Sequence, residues 1–145
     1  MKPIVFIDAE INPENGKILD IGAVDSERHQ FHDARISSFS DFVNDYSYIA
    51  GHNIIECDLK YLGPAISSNG NKRFIDTLLL SPLLFPAKPY HRLLKDDKLQ
   101  TDSLSNPLND ATKSAELFYD EVSAFERLDK KKFMVLTYFS ALQLE

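Results

Sequence analysis

Apolar positions along the chain follow two different periods, one typical of strands and one typical of helices. Short apolar or alternating runs, bounded by turn-forming or charged residues, predict strands at residues 3–8, 17–24, 28–32, 48–51 and 73–75. Helical spacing of apolar residues predicts helices at residues 38–44, 54–62, 76–84, 107–125 and 130–142. Three strands come first and strand–helix units follow. This order favours an α/β fold, in which helices cover both faces of a mixed sheet.

The length of 145 residues predicts a single domain, with its core at about residues 3–127. Pro107 stands where a helix often begins, since proline suits the first helical position. Ser38 is expected to cap the helix at residues 38–44. The last predicted helix, at residues 130–142, is expected to lead into a longer natural chain.

Composition restricts the kinds of site that the chain can form. Cys57 is the only cysteine, which excludes an internal disulfide and a thiolate zinc site and favours a cytoplasmic protein. No run approaches the roughly 20 apolar residues of a membrane span, so no membrane partner is expected. A net charge of −6 opposes a module that grips nucleic acid through a basic surface. Carboxylates gathered around metal ions would remove that objection.

Two carboxylates follow the first apolar strand. Side chains alternate along a strand, so Asp8 and Glu10 share the face of Phe6, where their mutual repulsion is unfavourable. A divalent cation between them would relieve this repulsion, and oxygen ligands suit Mg²⁺ or Mn²⁺. Taken alone, the same residues are equally consistent with a strand that ends in an acidic turn.

Two further acids lie on predicted helices. Asp58 is placed between Ile54 and Leu62 on the side expected to face the core, where an unpaired carboxylate is costly. It therefore meets either a cation or hydrogen-bond donors. Asp110 lies in the first turn of the helix that starts at Pro107, where the helix dipole favours any acid.

The order and setting of Asp8, Glu10, Asp58 and Asp110 resemble those of the DEDD exonuclease superfamily, which has a ribonuclease H-like fold. The resemblance extends over residues 4–120. The segments that carry it are FIDAE (6–10), ILDIGAV (18–24), AGHNI (50–54) with Asp58-Leu59, FIDT (74–77), LNDA (108–111) and AELF (115–118).

This resemblance implies an enzyme that hydrolyses phosphodiester bonds from the 3′ end of a nucleic acid, with DNA favoured over RNA. Two Mg²⁺ or Mn²⁺ ions would be held by the four acids and would activate water and stabilise the leaving oxygen. The substrate would contact Ala9, Asn53, Tyr90 and Arg92. The segment 82–100 before the last motif resembles the exonuclease-type domain that begins some bacterial RecQ-type helicase chains, so a covalently following helicase region is an expected partner.

The resemblance lacks one catalytic part. Members of this group place a histidine five residues, or a tyrosine four residues, before the last aspartate, whereas this chain has Ser105 and Asn106 there. Loss of a general base typically lowers the rate by about 10²–10⁴-fold. His91 is a candidate substitute, and a phosphate-contacting or surface histidine is the simpler interpretation.

Two other functions remain open at this point. One is a weakened or inactive module of the same fold that binds nucleic-acid ends or a helicase partner. The other is a receiver-type phospho-acceptor domain, in which the acceptor aspartate ends an apolar strand; the helical spacing before Asp58 opposes it. Four further residues are interpreted as structural: His52, Asp20 and Asp76, of which the two aspartates are expected to accept hydrogen bonds, and Cys57 as a small core residue.

Overall fold

The computed structural model describes residues 3–67, 71–93, 106–129 and 134. Its strands are β1 (Ile4–Ile11), β2 (Ile18–Asp25), β3 (Gln30–His32), β4 (Tyr48–Gly51) and β5 (Arg73–Asp76). These strands form a five-stranded sheet in the order β3-β2-β1-β4-β5. β1, β2 and β3 are antiparallel neighbours, whereas β4 runs parallel to both β1 and β5. The predicted mixed sheet of an α/β fold is confirmed.

Four helices accompany the sheet within the described ranges. They are α1 (Ile36–Val43), α2 (Leu59–Ser67), α3 (Thr77–Leu84) and α4 (Pro107–Glu126). None of the described helices is long and apolar enough to cross a membrane. The helix predicted at residues 130–142 lies outside the described residues except for Met134.

The alternation of β1 divides the core into two layers. Val5 and Ile7 face a cluster that contains Phe39 of α1 and Leu62 of α2. Phe6 faces the opposite cluster, which α4 covers. Each fully buried side chain of this size contributes about 1.5–3 kcal/mol to folding. Helices therefore cover both faces of the sheet, as predicted.

The prediction of a helix over residues 54–62 is wrong in its start. Residues 54–58 form turns, and α2 begins only at Leu59. Asn53 adopts a left-handed conformation with φ of 62°. The carboxylate of Asp76 accepts hydrogen bonds from the backbone N–H groups of Asn53 at 2.8 Å and Ile55 at 3.1 Å. These bonds come from a distant strand, so local spacing could not reveal that the helix starts late.

Helix starts differ in how far the sequence predicted them. α1 begins at Ile36 with Arg35 as its N-cap and no capping side chain, so the predicted role of Ser38 is wrong. α4 begins at Pro107, as predicted. The side chain of Asn106 caps α4 by accepting hydrogen bonds from the N–H groups of Leu108 and Asn109.

Candidate functional site

The second half of β1 carries two acids at the point where the strand leaves the core. Residues 4–7 are buried and residues 8–11 are half-buried. In the pairing of β1 with β2, Asp8 lies opposite Gly22 and Glu10 lies opposite Asp20. Because Phe6 packs against the α4 layer, Asp8 and Glu10 belong to the face that α4 covers.

Gly22 allows α4 to begin directly above β2. A Cβ atom at this position would lie 2.1 Å from the backbone nitrogen of Leu108 and 2.3 Å from the carbonyl carbon of Pro107. Only glycine permits this approach. The first turn of α4 therefore lies beside Gly22, which is the partner of Asp8 across the sheet. Asp110 in that turn is only 4% exposed.

Gly51 has the same role on the other side of β1. A Cβ atom there would lie 2.3 Å from Cγ2 of Ile54 and 2.5 Å from the carbonyl oxygen of Ile7. The chain after β4 therefore passes close to β1. Asp58, which is 4% exposed, follows this passage and accepts a hydrogen bond of 2.7 Å from the backbone N–H of Ala9.

The four predicted acids line one cavity of about 880 Å³, which we call the acid cavity. Asp8 and Glu10 come from β1, Asp58 from the turn before α2 and Asp110 from α4. They are separated by up to 102 positions in the sequence, counted from Asp8 to Asp110. The fold thus brings together the residues that the sequence only suggested as a set.

The acid cavity has an excess of negative charge. Glu56 joins the four acids in its lining, whereas Lys60 and Arg92 are the cationic side chains among the described lining residues apart from the titratable His52. A phosphate group entering such a cavity meets more repulsion than attraction. An anionic substrate therefore requires additional cations.

The predicted substrate contacts Ala9, Asn53, Tyr90 and Arg92 also line the acid cavity. Asn53 reaches it through the left-handed turn that follows β4. Ala9 already donates its backbone N–H to Asp58, so this N–H positions an acid rather than a ligand. Sequence reasoning did not identify Lys60 and Tyr61, although both follow Asp58 within one turn of α2.

His52 lines the acid cavity but its ring is hydrogen-bonded on both sides. Nε2 accepts from the backbone N–H of Leu93 at 3.1 Å, and Nδ1 lies 2.9 Å from Oγ1 of Thr77. Burial lowers the pKa of His52, which favours the neutral ring that this pattern requires. The residue ties the segment that holds Arg92 to the end of β4, in agreement with a structural role.

His91, the candidate general base, does not lie at the acid cavity. Nδ1 of His91 lies 2.9 Å from Oγ of Ser81, a buried residue of α3, and His91 is not among the residues that line the acid cavity. Ser105 lies outside the described residues. Asn106 uses its side-chain oxygen to cap α4. The described residues therefore place no histidine or tyrosine base at the position that the resemblance predicts.

The interpretation of Cys57 as a core residue is wrong. Its side chain is exposed and lines the acid cavity, and its sulfur lies 3.0 Å from Nδ2 of Asn53. Partial desolvation of the thiol raises the pKa of Cys57, which makes the thiolate scarce near neutral pH. The error follows from the late start of α2, since a regular helix from residue 54 would turn Cys57 elsewhere.

The two acids predicted to be structural are hydrogen-bonded. Asp76 accepts from the N–H groups described above and also caps α3 through Leu78. Asp20 accepts from the backbone N–H of Ile21, and its other oxygen lies 2.6 Å from Nε2 of His32.

The position of Asp58 differs from that of the acceptor aspartate in a receiver domain. The acceptor aspartate ends an apolar strand, whereas here β4 ends at Gly51 and Asp58 follows a turn.

The donor set of the acid cavity fits a hard divalent cation, because Mg²⁺ and Mn²⁺ prefer carboxylate oxygens. Among the described residues, no three His, Cys, Asp or Glu side chains are grouped closely enough to hold a metal ion as they stand. Occupancy would therefore require carboxylates to rotate towards a common point. The carboxylates are therefore suitable ligands for Mg²⁺ or Mn²⁺, but their present positions do not form a complete coordination site.

No protein-family model matches the chain, and no curated protein or solved structure is significantly similar to it. The functional interpretation depends on the acid cavity and on the spacing of its residues.

Proposed function

We propose that the protein is a metal-dependent 3′–5′ exonuclease that hydrolyses phosphodiester bonds, with DNA as the favoured substrate. The observation that supports this most is the meeting of Asp8, Glu10, Asp58 and Asp110 in the acid cavity. Four carboxylates from three parts of the fold are an unfavourable arrangement unless cations or protons compensate it. Two divalent metal ions bound between these carboxylates would offset their mutual repulsion.

In this proposal the four acids hold two Mg²⁺ or Mn²⁺ ions, which acidify water and stabilise charge on the reacting phosphate oxygens when bound. Asp58 is oriented by the N–H of Ala9, so its carboxylate is fixed relative to β1. Arg92 would neutralise a phosphate, and the exposed ring of Tyr90 would stack on a base. Asn53 would hold the sugar or phosphate near the cavity.

The direct test offers a 5′-labelled oligodeoxynucleotide to the wild type and to Asp8→Asn, in Mg²⁺, in Mn²⁺ and in EDTA. The wild type is expected to produce a ladder of shortened products in either metal and none in EDTA. Asp8→Asn should lose the ladder. The matched control is Asp41→Asn, which neutralises an exposed acid of α1 outside the acid cavity. A control variant that loses activity equally would contradict the proposal.

A second candidate is a module of the same fold that binds nucleic-acid ends or a following helicase region without efficient cleavage. The capping role of Asn106 and the contact of His91 with Ser81 favour it, because neither side chain is positioned as a base for the acid cavity. Binding of an oligonucleotide without any ladder would support this candidate. Parallel DNA and RNA substrates would define the preferred nucleic acid.

His91→Ala separates two versions of the enzyme. If His91 moves to the acid cavity during catalysis, the variant should lose about 10²-fold or more in rate. Unchanged metal-dependent cleavage would show that His91 is not the base. Melting temperatures of both proteins must be compared, since the contact with buried Ser81 also contributes to folding.

A further inference from the structure

Tyr61 separates the acid cavity from a second depression on the surface. This second cavity, of about 500 Å³, is called the hairpin groove. Its lining residues are Gly16, Lys17, Ile18, Ala34, Ile36 and Tyr61. Tyr61 is shared by both cavities and is 41% exposed, so its ring is available from both sides of the boundary.

The position of Tyr61 is defined by the elements on either side of it. Its backbone N–H donates to the carbonyl oxygen of Asp58 at 3.0 Å, which fixes the main chain of Tyr61 relative to an acid of the acid cavity. On the other side, a Cβ atom on Gly16 would lie 3.1 Å from Cε1 of Tyr61. Gly16 has φ of 69°, and its N–H donates to Asn12 within the turn between β1 and β2. The hairpin groove therefore lies between the turn that joins β1 and β2, the start of α1 and Tyr61 of α2.

The chemistry of the hairpin groove is the opposite of that of the acid cavity. It contains no carboxylate among its described lining residues. Ile18 and the 44% exposed Ile36 provide aliphatic surface, Tyr61 provides an aromatic ring, and Lys17 provides a cation at the rim. A flat apolar group attached to an anion matches all of these features. A nucleobase on its phosphate backbone has this chemistry.

We propose that the hairpin groove is a second nucleobase subsite, which receives an unpaired base of the strand whose 3′ end occupies the acid cavity. The inference rests on the proposed function for the identity of the strand. The base packs against Tyr61 and Ile36, and Lys17 contacts an adjoining phosphate. The protein therefore prefers a single-stranded 3′ end long enough to pass Tyr61 over a dinucleotide or a fully paired end.

The test compares Ile36→Glu with Leu79→Glu. Both variants place an acid at an exposed aliphatic position, and Leu79, which is 60% exposed on α3, lies away from the hairpin groove. Ile36 is the first residue of α1, where the helix dipole accommodates an acid, so the variant should fold. Two probes are used: a fluorescent octathymidylate with phosphorothioate linkages for binding by anisotropy, and an unmodified dinucleotide for cleavage.

Ile36→Glu should weaken octathymidylate binding about tenfold, the size expected for loss of one base contact, while Leu79→Glu leaves it unchanged. Dinucleotide cleavage should be the same in the wild type and both variants. Tyr61→Phe should bind the octathymidylate as the wild type does, because the ring is kept, and Tyr61→Ala should not.

The outcomes separate this inference from the proposed function. Equal octathymidylate affinity of the wild type and Ile36→Glu would overturn the subsite even if cleavage proceeds. Absence of metal-dependent cleavage of both the dinucleotide and the 5′-labelled oligodeoxynucleotide, with octathymidylate binding still weakened in Ile36→Glu, would support the subsite and refute the exonuclease. A wild type that does not bind the octathymidylate would overturn the subsite, and the exonuclease would be overturned as well only if the 5′-labelled oligodeoxynucleotide also gives no ladder.

Discussion

Helix α4 buries one acid near its start and another near its end, and the two have different surroundings. Asp110 is 4% exposed and lines the acid cavity with three other acids. Glu121 is 1% exposed and is not among the residues that line either cavity. Neither carboxyl oxygen of Glu121 has a hydrogen-bond partner in the described part of the chain.

The comparison shows that burial alone does not identify a functional acid. Burial raises the pKa of Glu121 to about 8, so it is mainly protonated at neutral pH and carries little charge. After burial, the charge of Lys88 lowers this pKa, whereas the charges of Asp76 and Asp120 raise it. Asp110, by contrast, adjoins an open cavity that a substrate or cation can enter. Access and neighbouring carboxylates distinguish a candidate ligand from a buried acid.

The largest expected difference between Asp110 and Glu121 is in the effect of a conservative substitution on cleavage. Asp110→Asn should lower metal-dependent cleavage roughly 10³-fold, because one proposed ligand of the metal ions is lost, and these ions would stabilise the charge of the transition state. Glu121→Gln should leave the rate within about twofold of the wild type, since a protonated acid and an amide are both neutral. Initial rates on a labelled oligonucleotide, corrected for the folded fraction, provide the measurement. Equal losses in both variants would remove the distinction.

The pH dependence of stability examines Glu121 itself. Its folded pKa of about 8 lies above the unfolded value of 4.5, so the stabilisation is complete below pH 4.5 and is lost as pH rises towards 8 and beyond. Wild-type stability should therefore decrease by about 4 kcal/mol between pH 5 and 9 relative to Glu121→Gln. Urea denaturation of both proteins at pH 5, 7 and 9 measures this difference. Parallel pH profiles would show that Glu121 ionises normally.

Two glycine substitutions test how α4 is held at the acid cavity. Gly22→Ala should destabilise the fold by about 2 kcal/mol and displace the first turn of α4, because its Cβ meets backbone atoms. Gly63→Ala in α2 meets no atom within 4 Å apart from its own helix and chain neighbours, and because Pro64 offsets the usual gain of alanine in a helix, it should change stability by less than about 1 kcal/mol. Denaturation midpoints measure both effects. Cleavage should decrease only in Gly22→Ala, and unchanged cleavage by that variant would show that Asp110 needs no such contact.

Several features of the site could be predicted because they depend on local pattern. Strand alternation placed Asp8 and Glu10 on the face of Phe6, and proline chemistry placed the start of α4 at Pro107. The alternation of sheet and helix segments also predicted the mixed sheet. These inferences use the neighbours of each residue along the chain, which the sequence shows directly.

Other features depended on contacts between distant segments. Hydrogen bonds from Asn53 and Ile55 to Asp76 delayed the start of α2, and this change brought Cys57 into the acid cavity. The contact of His91 with Ser81 likewise joins α3 to a segment without regular structure. The spacing of residues along the chain does not show which distant carboxylate accepts a hydrogen bond from a given backbone N–H.

The sequence by itself predicted most of the elements and supplied four acids whose order resembles that of the DEDD exonuclease superfamily. Periodicity and turn chemistry suffice to predict the elements, since both act within a few residues. Only the tertiary structure decided that these acids share one cavity, that Gly22 and Gly51 admit the elements carrying Asp110 and Asp58, and that Tyr61 divides this cavity from the hairpin groove. Close approach between segments is a property of packing, and packing is decided by residues that are far apart in the chain.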